Sequence, residues 1–393
     1  MRKNITIQKF LPILCGLMLA FAVHVQADVT DIKAALLIEK KPIPPALSNL
    51  DPVLTDEGIQ GAKLGIKDNN TTGQFTGHSY TLAIAEVPVG DDVREAFNQL
   101  VSKGYRYVIT SVNTETLISL SALAAEKGVL LFNIASADGK LRTTECGANT
   151  FHMLPSYEMK ADALAQFMLK KRWKKWFLVK GSDANDALFA KAIKRSAKRF
   201  GVKVVEEKTW TFDHDARRTA QADIPVFTQG DDYDVLVVAD VKGLFGEYLP
   251  MNTWLPRPVA GTQGMAPRAW HRTHERWGAV QMQNRFYEQA GRWMTDVDYS
   301  AWLAVRSIGE AVTRAKSPDV KTVKNFLLGD EFSVAGFKGT KLTFRSWNHQ
   351  LRQPVLLATP RSIVSVMPQK EFLHPRTYLD TLGYDKPESN CHL

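Results

Sequence analysis

The feature that most constrains this chain is the order of its elements. From residue 32 to about residue 260, short apolar runs alternate with stretches of helical spacing. Strand-like runs occupy residues 32–38, 80–86, 107–110, 129–134, 176–179, 202–206, 233–239 and 257–260. Residues 91–104, 114–127 and 186–200 carry apolar side chains every three or four positions, for example Val93, Phe97 and Leu100, or Leu117, Leu120 and Ala124. Gly104, Gly128 and Gly201 stop these helices. Ser156 caps another, with Met159, Ala163 and Phe167 on one face. Such alternation implies an α/β fold of parallel sheets covered on both faces by helices. After Gly261 come helices near 281–289, 298–314 and 319–328, then short strands at 342–344, 355–358 and 363–366. A chain of 393 residues, 45% of them apolar, exceeds what one core usually serves and implies two domains.

The N-terminus reads as an address. Arg2, Lys3 and Lys9 precede an apolar run over residues 10–23, and Val25-Gln26-Ala27 supplies a small-x-Ala cleavage pattern. Cleavage after Ala27 is expected, with a mature chain from Asp28. The run is too short for a span of about 20 residues. No later segment is apolar enough to span, so the sequence predicts a soluble exported product. Lys and Arg exceed Asp and Glu by only 50 to 41, and three of those cations are in the leader. Neither this balance nor export suits nucleic acid. Cys15 leaves with the leader, so the mature chain holds Cys146 and Cys391. In an oxidising compartment these are expected to pair, two buried thiols being the alternative.

In open parallel sheets, ligands bind beyond the carboxyl ends of strands, against helix N-termini. That draws attention to residues 110–114, 135–138, 181–186, 240–242 and 261–264, the last containing Gln263. Helix capping explains the same Ser, Thr, Asn, Asp and Gly composition.

Particular stretches carry a resemblance. VLLFNIAS at 129–136, NTFHMLPS at 149–156, PVAGTQGM at 258–265 and FKGTKLTF at 337–344 resemble the periplasmic substrate-binding proteins of ABC transporters, in their leucine/isoleucine/valine-binding branch. KRWKKWFLV at 171–179, PVFTQG at 225–230, DDYDVLVVAD at 231–240, FGEYLP at 245–250, RWGA at 276–279, LRQPVL at 351–356 and the segment 379–384 with its trailing Cys391 resemble a narrower subfamily, associated with PQQ-dependent alcohol dehydrogenase systems. The resemblance implies a type I binding protein of two lobes joined by three crossovers. Lobe one would be residues 28–153 plus 267–345, and lobe two 154–266 plus 346–393. It also implies a monomer that delivers a small-molecule ligand to an ABC permease in the inner membrane, with no cofactor or metal. An exported accessory factor or enzyme of quinoprotein alcohol oxidation is the alternative.

The family holds a ligand carboxylate with hydroxyls and backbone N–H groups after two lobe-one strands. The matching positions are Thr110, Ser111, Asn113 and Thr114, then Ala135 and Ser136. Ser182, Asp183 and Asp240 would close from lobe two. Here the chain reads Ser-Asp-Ala-Asn-Asp where amino-acid binders often place an aromatic, and no single acid stands out for an ammonium group. The candidate ligands are therefore a short carboxylic acid, a PQQ-related anion, a metal complex or an amino acid. Elsewhere, His271-x-x-His274-Glu275 fits neither zinc-protease order and reads as surface histidines. Asp213-His214-Asp215 and Asp231-Asp232 read as solvated loop acids, and residues 170–176 as a cationic helix end.

Overall fold

The computed structural model describes residues 29–42, 53–211 and 216–393. The expected leader and the Asp213–Asp215 triplet lie outside the described residues. Strands β1 (Thr30–Glu39), β2 (His78–Val87), β3 (Tyr107–Ser111), β4 (Leu130–Asn133) and β5 (Thr150–His152) form a parallel sheet ordered β2-β1-β3-β4-β5. Along β1 the pleat sends alternate side chains to opposite faces. Ala35 and Leu37 meet helices α2 (Val93–Ser102) and α3 (Thr114–Lys127). Ala34, Leu36 and Ile38 share a core with α1 (Ile59–Thr76) and α8 (Asp296–Ala315). Both faces are thus buried, which is why β1 reads as a nearly continuous apolar run.

A second parallel sheet, ordered β7-β6-β8-β9, is built from β6 (Lys175–Lys180), β7 (Lys203–Thr209), β8 (Val235–Ala239) and β9 (Val259–Gly261). Trp176, Leu178 and Val237 pack under α4 (Tyr157–Lys170) and α5 (Ala184–Arg199). Phe177, Val179 and Val238 pack on the other face with α6 (Ala216–Phe227). After β10 (Ala266–Arg268) the chain returns to the first sheet, supplying α7 (Ala279–Ala290), α8, α9 (Val320–Leu328) and the small ladder β11 (Val334–Ala335), β12 (Lys341–Phe344) and β13 (Leu351–Arg352). It crosses once more into β14 (Val355–Thr359) and β15 (Ser362–Met367), which join β10. The eight expected early strands and the three expected late ones are all present within a few residues. Helices α1 and α6 and strands β5, β10, β11 and β13 are additional. Among the described residues no helix is long and apolar enough to cross a membrane.

The crossovers are stitched together by buried amides. Gln350 Nε2 donates to the carbonyls of His152 (3.2 Å) and Leu154 (2.9 Å), and Gln353 Nε2 donates to that of Met153 (2.6 Å). The tail is tied down as well: Cys146 and Cys391 are joined, with Cα atoms 5.5 Å apart. Beside that bond, the Asn390 N–H donates to the Thr143 carbonyl at 2.9 Å.

Two buried histidines sit in the crossovers, and both resist protonation. Burial first, then the charge of Lys324, pushes His349 down to about 4. Burial, followed by Arg142 and His349, holds His152 well below the usual range. Unfolded histidines take up protons near pH 6.5. Their low folded values therefore give stability that is present above that pH and is lost as pH falls toward the folded values. His349 alone is expected to cost about 3 kcal/mol by pH 4. Melting curves between pH 7 and 4 check this. An unchanged acid slope in His349→Gln would remove His349 from the explanation.

Candidate functional site

The strand ends of the first sheet are wired before any ligand arrives. Glu39, closing β1, accepts from the Asn113 N–H (2.8 Å) and Asn113 Nδ2 (2.7 Å). Asn113 in turn caps α3 by accepting from the Thr116 N–H at 2.9 Å. Thr114 and Ser136 hydroxyls are 2.7 Å apart and both are buried. Asn133 Oδ1 accepts from the N–H groups of Ala135 (3.1 Å) and Ser136 (2.9 Å). The two backbone donors expected for a ligand are therefore already engaged inside the loop. Thr110 is fully buried, its hydroxyl 3.5 Å from the Phe132 carbonyl, so it belongs to the strand interior rather than the loop surface. Ser111 differs: it is half-buried, and its hydroxyl has no partner among the described residues.

On the second sheet, Asp183 caps α5 in a reciprocal box with Asp186. Its other oxygen holds Lys242 Nζ at 2.5 Å. Asp186 is buried and pushed up to about 6, mainly by burial and further by Asp240 and Asp183, while the Val241 N–H opposes the rise. Asp240 is almost wholly buried and accepts from the N–H groups of Leu244 (2.9 Å), Phe245 (2.8 Å) and Gly246 (2.7 Å). Gln263 Nε2 donates to the Asp240 carbonyl at 3.1 Å. These acids shape the loops. Ser182 is exposed at the α5 entrance.

Asp240 and Gln263 do line a cavity of about 280 Å³, shared with Tyr157, Lys160, Phe189 and Arg268. Its mouth lies at the carboxyl ends of β8 and β9, where an open parallel sheet places its ligand. The first sheet's Ser136 loop reaches it through the Tyr157 N–H, which donates to the Ala137 carbonyl at 2.9 Å. Sequence reasoning missed Tyr157, Lys160, Phe189 and Arg268. A signal was present in α4, where the charged Glu158, Lys160 and Asp162 fall among apolar residues; of positions 157–168 only Lys160 is not buried.

The remaining constellations are structural. His274 is buried rather than exposed: its Nε2 is 2.8 Å from the Phe337 carbonyl, and its ring meets Trp270 edge-on. Asp232 pairs on the surface with Lys175 and Arg257. Lys170, ending α4, pairs with Glu371. Among the described residues no three His, Cys, Asp or Glu side chains are grouped to hold a metal ion.

A family model described as "Periplasmic binding protein" matches residues 54–222. No curated protein matches the chain in sequence. Solved structures match in fold. A periplasmic binding protein from Burkholderia mallei is 16% identical with a TM-score of 0.66, over 93% of this chain and 99% of that one. A leucine-, isoleucine-, valine-, threonine- and alanine-binding protein from Brucella ovis, in a closed conformation, is 14% identical with a TM-score of 0.66, over 83% and 88%. An ABC-transporter solute-binding protein from R. palustris, in complex with benzoate, is 14% identical with a TM-score of 0.63, over 86% and 96%. The chain thus has the two-lobed α/β fold of the periplasmic binding proteins, with parallel sheets flanked by helices.

Proposed function

We propose that this chain is the exported substrate-binding component of an ABC transporter, working in the periplasm without turnover and handing a small polar or anionic ligand to an inner-membrane permease. The observation that carries the reading is the cavity at the ends of β8 and β9, whose lining residue Tyr157 is hydrogen-bonded through its N–H to Ala137 in a loop of the other sheet. Residues 28–153 with 267–345 and residues 154–266 with 346–393 would be the units that close on it. Ser111 would supply a free hydroxyl from the first, and Ser182 one from the second. The Brucella and R. palustris neighbours are described as binding amino acids and benzoate, ligands that share a carboxylate. The subfamily resemblance narrows this to a ligand linked to PQQ-dependent alcohol oxidation, such as the acid that oxidation yields.

The test is mass spectrometry of small molecules that co-purify with the protein, followed by titration monitored by tryptophan fluorescence. Saturable quenching or enhancement with no product formed is expected; product formation would turn the reading to an exported enzyme. Ser111→Ala should weaken the identified ligand about 10- to 150-fold, the loss of one hydrogen bond to a charged group, without moving the melting temperature. Ser136→Ala should instead cost about 1 kcal/mol of stability, because it strips the buried Thr114 hydroxyl of its partner. Wild-type affinity in Ser111→Ala would place the ligand away from the β3 end.

A further inference from the structure

The charge balance inside the cavity says more about its occupant. Two cations line it without a hydrogen bond or ion pair among the described residues: half-buried Lys160 on α4 and exposed Arg268 on β10. The third, Lys242, is already neutralised by Asp183. The acids are equally committed. Both oxygens of Asp240 accept backbone N–H groups, and Glu247 is itself partnered. Asp296, at the start of α8, is the acid whose field reaches Lys160, but it lies beyond ion-pair distance and spends Oδ1 on the Trp270 N–H at 2.8 Å. Burial therefore lowers the Lys160 ammonium, and the charges of Arg268 and Arg142 add to the effect. An anion seated between Lys160 and Arg268 would relieve both burial and repulsion. An ammonium group would find two cations and, in the lining itself, no uncommitted carboxylate. Phe189, Tyr157, Val241 and Pro267 supply the apolar part of the wall.

Resting on the binding reading above, we infer that the cleft selects a small organic acid with an apolar body and no ammonium group, its carboxylate held by Lys160 and Arg268. Neither cation belongs to the Ser111 and Ser136 loops, so α4 and β10 contribute an anchor outside the loops expected to hold the ligand.

The experiment compares matched probes by calorimetry and thermal shift: acetate, butyrate and benzoate; their uncharged amides; and L-leucine and L-phenylalanine. At least one acid should bind, with its amide and the amino acids at least about tenfold weaker. Lys160→Met and Arg268→Gln should each weaken that acid about 10- to 150-fold. Arg268 is exposed, so its variant tests the anchor even if Lys160→Met folds poorly. An amide or amino acid binding as tightly as the best acid would overturn the inference while leaving the binding reading intact. Acid binding that survives both substitutions would do the same. Silence from every probe would overturn the inference and also remove the support for a small-ligand cleft.

Discussion

Asp380→Ala is expected to lower the unfolding free energy by about 3–5 kcal/mol, the penalty for stranding a buried charge. Asp380 is fully buried and stands between two guanidinium groups. Its Oδ1 accepts from Arg345 Nε at 2.8 Å, and its two oxygens accept from Arg352 Nε at 2.9 and 3.0 Å. Arg345 is only 1% exposed. Its remaining donors go to the carbonyls of Leu382 (2.7 Å), Tyr384 (3.1 Å) and Leu379 (3.3 Å), which solvate the cation without neutralising it. The cluster pins the C-terminal segment against the third crossover. That segment matters to the second core, because Leu382 packs within it and the Gly383 N–H donates to buried Asp162 at 2.9 Å. Asp380→Asn keeps one acceptor oxygen and should lose less than the alanine. Denaturant unfolding of both variants gives the comparison. An alanine variant within about 1 kcal/mol of wild type would mean that water replaces the carboxylate.

The elements that could be read from the sequence are those whose buried faces are made of large apolar side chains. Strands such as Leu130–Asn133 and Val235–Ala239 are buried on both sides, so every residue reports the core. The cap at Ser156 was legible too and makes the bond its position implies, whereas Asp183, expected as a ligand contact, caps α5. Helix α1 was invisible for the opposite reason: its buried positions are Gly61, Ala62, Leu64, Gly65, Asn69 and Gly73, an interface made by removing side chains. Helix α6 was hidden by Pro225 near its end, which reads as a breaker. At the site, pattern reasoning located the loops but not the allocation of their hydrogen bonds. That Asn133 would consume the donors of Ala135 and Ser136, or that Asp240 would turn inward to three N–H groups, depends on loop geometry that residue types leave open. Lys160 and Arg268 come together only because α4 and β10, more than a hundred residues apart, share one wall.

The same helix α1 carries the other large expected effect. Replacing a helical glycine by alanine ordinarily stabilises by about 0.5–1 kcal/mol, through lost freedom in the unfolded chain. Gly61→Ala should do the reverse and cost at least about 3 kcal/mol, at the upper end of overpacking. A Cβ on Gly61 would lie 1.9 Å from the Asp298 carbonyl oxygen and 2.7 Å from its Cα, both backbone atoms that no rotamer change can move aside. Relief requires pushing the first turn of α8 away from α1. That turn is held by the Asp298 carboxylate, which accepts from the Gly58 N–H at 2.9 Å and from Arg292 Nη1 at 2.6 Å, so displacement strains a buried ion pair as well. Gly65→Ala provides the internal comparison. Its Cβ would meet Val305 Cβ at 2.7 Å and Cγ1 at 3.0 Å, so trimming Val305 to alanine removes the second contact but not the first and should recover only a small part of the loss. No such partner exists for Gly61, where the obstacle is main chain. Differential unfolding of Gly61→Ala, Gly65→Ala and the Gly65→Ala/Val305→Ala pair therefore reads the helix crossing directly. Stability in Gly61→Ala equal to or above wild type would refute the close approach of α1 to α8.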